Sequence, residues 1–319
     1  MKRQANILML GGAKRISLAR LLIDAGKRMG IEVKIFSSEI VKEVPIACVG
    51  TVVEGVRWSD PGIYDNLSAV IRQYGIGIVL PFVDGAIEIC SRLKEIHPEV
   101  FIPVSPYEVA HAMFDKAEAA ALFERNGFAI PATYSKENCS FPAILKPREG
   151  SASKGIIIVN NTEELDKITD IDKYLIQEYI ADRDEYTVDC YVSAISKRVL
   201  CTVPRLRIST SGGEVDRTIT RRIPELIGNS TMILEKLGFE GPVTIQFIHD
   251  KAYGRYLLME INPRLGGGVV CSINAGAAIP EMILTEWLGR EAAVCDDWRG
   301  NALMARYFNE VMFYEDENR

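Results

Sequence analysis

The chain has 319 residues, of which 48% are hydrophobic and 25% charged, and it carries a formal net charge of −6. This balance is ordinary for a water-soluble globular protein, its acidic excess argues against a general nucleic-acid surface, and its length calls for two or three lobes rather than one core. No apolar run approaches a membrane span and the apolar part of MKRQANILMLGG is too short for a signal peptide, so a cytoplasmic protein without membrane partners is expected.

In chain order, ANILML reads as a buried strand, GGAKRISLARLLIDAGKRMG as a glycine turn feeding an amphipathic helix, and EVKIFSS as a second strand. A helix from Tyr64 to Tyr74, the strand GIGIVLPF, a helix from Gly85 to Ile96 and a short strand FIPV follow. Alternating strands and helices imply a parallel sheet with right-handed crossovers, an open α/β domain over residues 1–105. The first turn lacks the third glycine of GxGxxG, holds Lys14 and Arg15, and has only Glu39 as an acidic candidate after the second strand, so an NAD site is not expected. Lys14 and Arg15 at a helix start suit an anion, and Asp84 just beyond a strand end suits an amine; solvated loop charges are the competing reading for all three.

Beyond residue 105 a helix is expected from near Tyr107, carrying Lys116. FPAILKP places Lys146 at a strand end, and EGSASKG follows before the strand GIIIV. Small residues let backbone N–H groups approach phosphates and a lysine adds a point charge, although the spacing is not that of a P-loop. YLIQEYI reads as another strand, with Glu185 seven residues after Glu178. EYTVDCYVS and RVLCTVP read as paired antiparallel strands, as do GPVTIQF and GRYLLMEI. Arg205 and Arg207 in VPRLRI share a face, whereas Arg221 and Arg222 are adjacent on an expected strand, so only one of them can face a cleft.

The last strand runs into Glu260, Asn262 and Arg264, with Gly266, Gly267 and Gly268 beyond. Alternation puts Glu260 and Asn262 on one side, joined by Arg264 if the extended geometry persists past Pro263. A carboxylate with an amide oxygen suits Mg²⁺, and a guanidinium suits the phosphoryl oxygens that Mg²⁺ bridges; by spacing alone, a polar strand end with a glycine turn reads equally well. His97, His111 and His249 form no metal-binding spacing and no GxSxG occurs, so each histidine is read as structural or surface, His111 in a helix and His249 near a turn. The seven cysteines lack a CxxC pair and read as buried thiols of a reducing compartment, and EDENR reads as a solvated tail.

FPAILKPREGSASKG, LIQEYIADRDEYTVD, VPRLRI and GPVTIQF followed by LLMEINPRLGGG, in this order, resemble the ATP-grasp enzymes, most of all the single-copy carbamoyl-phosphate-synthase-like members, from the first strand to about Gly289. The resemblance implies a mixed α/β and α+β fold, with a pre-ATP-grasp α/β domain over 1–105, a small ATP-grasp lobe over 106–180 and a large lobe over 181–319. It implies that Lys116 and Lys146 contact ATP phosphates, that the loop with Gly150, Ser151, Ser153 and Gly155 closes over them, that the backbone of Glu178, Tyr179 and Ile180 meets adenine, and that Glu185 meets the ribose. Gln246, Glu260 and Asn262 would hold two Mg²⁺ ions, with Mn²⁺ a substitute; Arg264 would stabilise the transferred phosphoryl group, with Arg205 and Arg207 near phosphate or substrate carboxylate.

The implied reaction phosphorylates a carboxylate, after which an amine displaces phosphate to leave an amide and ADP. Small carboxylates and amines are then the partners, and a homodimer follows from analogy alone. Two other readings stay open: phosphorylation of bicarbonate or carbamate, and a regulatory ATP-binding module without turnover, which would not need the metal set.

Overall fold

A computed structural model describes residues 3–150 and 154–314. In the first domain β1 (Arg3–Leu10), α1 (Ile16–Arg28), β2 (Ile31–Glu39), β3 (Thr51–Glu54), α2 (Ile63–Tyr74), β4 (Ile78–Pro81) and α3 (Asp84–Ile96) build a parallel sheet of order β3-β2-β1-β4. Ile7, Leu8, Met9 and Leu10 of β1 are fully buried, as expected of a central strand covered on both faces. The four-residue β3 was not marked by the sequence, and FIPV contributes only an isolated bridge between Phe101 and Ile78.

The single helix expected from Tyr107 through Lys116 is in fact two, α4 (Tyr107–His111) and α5 (Lys116–Arg125). Asp115 makes the break: its carboxylate accepts from the backbone of Ala117 at 2.8 Å and Glu118 at 3.2 Å, so Lys116 is the first residue of a new helix. The small lobe contains β5 (Thr133–Tyr134), β6 (Ala143–Pro147), β7 (Ile157–Val159), α6 (Thr162–Asp166) and β8 (Tyr174–Glu178). Its antiparallel sheet has the order β5-β8-β6-β7 over a core of Ala143, Leu145, Val159, Leu165 and Ile176.

The large lobe comprises β9 (Arg183–Val192), β10 (Val199–Ser211), β11 (Glu214–Thr220), α7 (Pro224–Leu237), β12 (Gly241–Asp250), β13 (Arg255–Asn262), α8 (Val269–Asn274), α9 (Ile279–Trp287) and β14 (Leu303–Ala305). The sheet order is β13-β12-β9-β10-β11-β14, and both expected antiparallel pairs, β9 with β10 and β12 with β13, are present. Arg221 and Arg222 follow the end of β11 instead of sharing a strand, and both turn to the C-terminal segment. Arg222 stacks on Trp298, 4.2 Å from the ring centroid, and Arg221 contacts Asn301.

The first domain and the large lobe share one core. Leu18 and Leu22 of α1 pack in the same cluster as Val269 of α8, Ile279 and Ile283 of α9, and Trp298. Gly241 closes a second contact: its φ is 74°, and a Cβ there would lie 1.9 Å from the Pro103 carbonyl oxygen, so only glycine lets β12 start against this segment. This packing sets the N-terminal ends of α1 and α3 against the segment that leaves β13, with Asp84 on Arg264 and Arg15 beside Gly267. No helix among the described residues is long and apolar enough to cross a membrane.

Candidate active site

A cleft of about 950 Å³ lies between the small-lobe and large-lobe sheets, with the start of α3 and the end of α4 at its rim. Ile144, Leu175, Ile180 and Met259 give it apolar walls, while Lys116, Lys146, Arg183, Glu185, Arg207, Gln246, Glu260, Asn262 and Arg264 supply charge and hydrogen-bonding groups.

The large-lobe wall is set by strand register. Gln246 on β12 pairs opposite Glu260 on β13, followed by a bulge before Phe247. The Gln246 amide contacts the Glu260 carboxylate, and Asn262 Nδ2 donates to Glu260 Oε1 at 2.9 Å. Arg264 stays on this side beyond Pro263: Nη2 donates to Asn262 Oδ1 at 3.3 Å, and Nε donates to Asp84 Oδ1 at 2.8 Å. Arg207 reaches the same group from β10, Nη1 donating to Gln246 Oε1 at 2.7 Å. Glu260 with the amide oxygens of Gln246 and Asn262 is a hard oxygen donor set of a type that suits Mg²⁺; here Gln246 Oε1 accepts from Arg207 and Asn262 Oδ1 from Arg264, so both amides would turn to bind an ion. Among the described residues no group of three or more His, Cys, Asp or Glu side chains offers a competing metal centre.

On the small-lobe wall Lys146 is buried in the central part of the sheet and donates to Gln177 Oε1 at 3.0 Å. Burial lowers its pKa to about 8; Arg183 and Lys116 push the same way, against the opposing pull of Glu260 and Glu185. Among the described residues the ammonium has no carboxylate in direct contact. Lys116 donates to the Gly150 carbonyl at 2.6 Å, and Arg148 Nε donates to Asp115 Oδ2 at 2.8 Å, which staples the base of the glycine-rich loop to α5. Gly150 and Gly155 have φ of 99° and 73°, a left-handed backbone that glycine adopts without strain; Ser151 and Ser153 lie outside the described residues.

Glu178 turns its carboxylate away to Arg255, whose Nη2 donates to Oε1 at 2.8 Å, while Glu178, Tyr179 and Ile180 all line the cleft. Glu185 also lines it, with Arg183 Nε donating to Oε1 at 3.4 Å.

Arg205 lies deeper than Arg207, lining the smaller recess and not the cleft. It is 1% exposed, and its guanidinium is forked onto Asp189, with Nε to Oδ2 at 2.6 Å and Nη2 to Oδ1 at 3.1 Å. Arg205 and Arg207 share a face as expected, but a two-residue step along β10 takes one from the cleft to the floor beneath it, and only Arg207 lines the larger cleft among the described residues.

Next to the cleft, and sharing Arg207, Gln246, Asn262 and Arg264 with it, is a recess of about 120 Å³ lined also by Arg15, Arg205, Glu214 and Gly266 to Gly268. The glycine triplet is closely packed, most tightly at Gly268 against the buried Arg205, whereas at Gly267 the neighbours are the movable tips of Arg15 and Arg306. A Cβ at Gly266, Gly267 or Gly268 would fall 2.9 Å from Thr244 Oγ1, 2.9 Å from Arg15 Nη1 or 2.5 Å from Arg205 Nη1, respectively. Arg15 Nη2 donates to Glu214 Oε1 at 3.1 Å, and Arg306 Nη1 donates to Glu214 Oε2 at 2.6 Å. Burial alone would raise the Glu214 pKa, but Arg15 and Arg306 together hold it below the usual carboxylate value. Lys14 is exposed and lines neither cavity among the described residues.

Two features of the site were not legible beforehand. Glu214, from the hairpin between β10 and β11, joins Arg15 across 199 residues. His111 at the end of α4 is exposed and helical, as the surface reading has it, and it also lines the cleft and contacts Glu88 of α3.

Three sheets in this sequence, with a nucleotide-sized cleft between the second and third, define the ATP-grasp fold of the biotin-carboxylase kind. Residues 170–307 match the family described as ATP-grasp in the biosynthetic pathway with Ter operon. The chain is similar to a probable alpha-L-glutamate ligase of Alkalilimnicola ehrlichii, 22% identical over 222 residues that cover 63% of this chain and 67% of the relative. Among solved structures it superposes on biotin carboxylase from Campylobacter jejuni in a β,γ-ATP complex with a TM-score of 0.74 at 18% identity, covering 93% of this chain and 74% of that one. N5-carboxyaminoimidazole synthetase from Staphylococcus aureus complexed with ADP gives 0.72 at 17%, covering 96% and 81%. L-amino acid ligase from Bacillus licheniformis gives 0.66 at 16%, covering 89% and 74%. At these identities the likeness establishes the fold.

Proposed function

We propose that this protein is an ATP-dependent ligase that activates a small carboxylic acid as an acyl phosphate and transfers the acyl group to an amine, releasing ADP and phosphate. The observation that carries the reading is the end of β13: Asn262 and Arg264 line both the nucleotide-sized cleft and the arginine-lined recess. A phosphoryl donor in the first and a carboxylate in the second would meet there.

Ile144, Leu175, Ile180 and Met259 offer apolar walls for the base, the backbone at Glu178 to Ile180 offers its edge hydrogen bonds, and Glu185 is placed for the ribose hydroxyls. Lys116 and Lys146 bind phosphates, and the buried Lys146 gains a counter-charge when they arrive. Glu260, Asn262 and Gln246 are the donors that would hold Mg²⁺, or Mn²⁺ in its place, and the ion when bound neutralises charge on the phosphate oxygens. Moving negative charge between oxygens is the main barrier, so Arg264, held by Asp84, and Arg207 supply positive charge to the transfer, while Asn262 and Gln246 would turn their amide oxygens from these guanidiniums to the ion. Arg15, Arg207 and Arg264 come from three separate elements to surround the acid, while Arg205 with Asp189 is a neutral, positioning floor.

The small volume of the recess supports a second reading, phosphorylation of bicarbonate in the manner of carbamoyl-phosphate-synthase-like enzymes. ADP release from Mg-ATP with pools of carboxylates, amines and bicarbonate separates the two. The ligase reading expects stimulation that needs both an acid and an amine. Stimulation by bicarbonate alone would replace it with the second reading, and tight ATP binding without turnover in any pool would overturn both in favour of a regulatory module.

A further inference from the structure

Arg264 and Asp84 fasten the start of α3 to the reacting end of the cleft. One helical turn later on the same face of α3 is Glu88, which accepts the Nδ1–H of His111. His111 and Asp84 both line the cleft. With Nδ1–H held by a carboxylate, the neutral imidazole keeps its lone pair on Nε2. The ring is held from another side as well: it stacks on Tyr107 with centroids 5.3 Å apart, and Arg92 lies 4.5 Å above the Tyr107 ring. The charged groups facing His111 are Glu88, Glu108 and Glu118, so this rim is acidic, while Lys116, Lys146, Arg183 and Arg207 line the rest of the cleft.

We propose that His111, oriented by Glu88, is the general base that takes a proton from the amine substrate, and that Asp84 docks the ammonium beforehand. The proposal rests on the ligase reading. The ammonium R′–NH₃⁺ gives one proton to His111 Nε2, and the freed nitrogen lone pair forms the C–N bond to the acyl-phosphate carbon. The C–O bond to phosphate breaks with its electron pair going to phosphate, which takes the second proton lost from nitrogen. His111 then returns its proton to solvent.

Hydroxylamine tests this, because it is uncharged at neutral pH and needs no base. With His111→Gln we expect hydroxamate formation from the acid within about twofold of wild type, while kcat for the amine falls on the order of a hundredfold. Glu88 raises the His111 pKa above 6.5, so wild-type kcat with the amine should climb with pH through a midpoint above 6.5. Glu88→Gln should move that midpoint down, and His111→Gln should abolish it. Equal losses with hydroxylamine and amine, or an unchanged pH limb in His111→Gln, would overturn the proposal. Absence of hydroxamate from wild type with every acid would instead overturn the ligase reading.

Discussion

Lys146 should make nucleotide affinity depend on pH. Its ammonium has a pKa of about 8 because it is buried, and a polyphosphate beside it restores the charged form. If bound ATP returns the pKa to 10.5 or above, affinity should fall as pH rises past 8, by about 30-fold (~2 kcal/mol) between roughly pH 7 and 9.5. Lys146→Met should bind ATP weakly and with little pH dependence over that range. Its folding should show the opposite linkage. A lysine whose folded pKa is lowered destabilises the fold below about 8, and the penalty disappears as pH rises towards 10.5, so Lys146→Met should be more stable than wild type at pH 7 with the gap closing above pH 8. Isothermal titration with a non-hydrolysable ATP analogue and thermal melts across pH measure both effects. A wild-type Kd that stays flat from pH 7 to 9.5 would mean that Lys146 does not gain a proton when ATP binds.

Glu260→Ala should reduce ADP formation by at least a hundredfold while the melting temperature changes little, since Glu260 is cleft-lining and contacted by two neutral amides; turnover near wild type would remove it from the metal set. Arg15→Gln should raise KM for the acid about tenfold and leave ATP affinity unchanged, because Arg15 lines the recess only; steady-state kinetics with each substrate varied checks this. Asp189→Ala leaves the buried Arg205 guanidinium without its counter-charge and should cost about 3–5 kcal/mol of stability, read by denaturant melts. Gly268→Ala places a methyl 2.5 Å from Arg205 Nη1 and should cost about 1–3 kcal/mol, with acid binding weakened more than ATP binding.

The parts of the fold legible in the sequence are those with a local cause. The apolar run of β1 announces a doubly covered strand, and the alternation through Glu260 and Asn262 gives the face they share. The break between α4 and α5 was also written locally: Asp115 followed by Glu118 is an N-terminal capping pattern, and it outweighs the apolar continuity around it. Depth was not legible. That Arg205 and Arg207 point the same way follows from β10, but that one faces a cleft and the other lies buried on Asp189 depends on where β9 and α8 pack. The partnership of His111 with Glu88 joins residues 23 apart on two helices, and that of Arg15 with Glu214 joins two domains, so neither leaves a periodic signal. The glycine triplet was readable as a turn, while the neighbours it packs against, Thr244, Arg15 and Arg205, are tertiary.

In the proposed reaction a carboxylate oxygen attacks ATP at the point where cleft and recess meet. Once an acid that stimulates ADP release is in hand, supplying it with both carboxylate oxygens replaced by oxygen-18 and weighing the released phosphate by mass spectrometry tests this directly. An acyl-phosphate route predicts one labelled oxygen in each phosphate formed, and phosphate free of label during amide formation would contradict it.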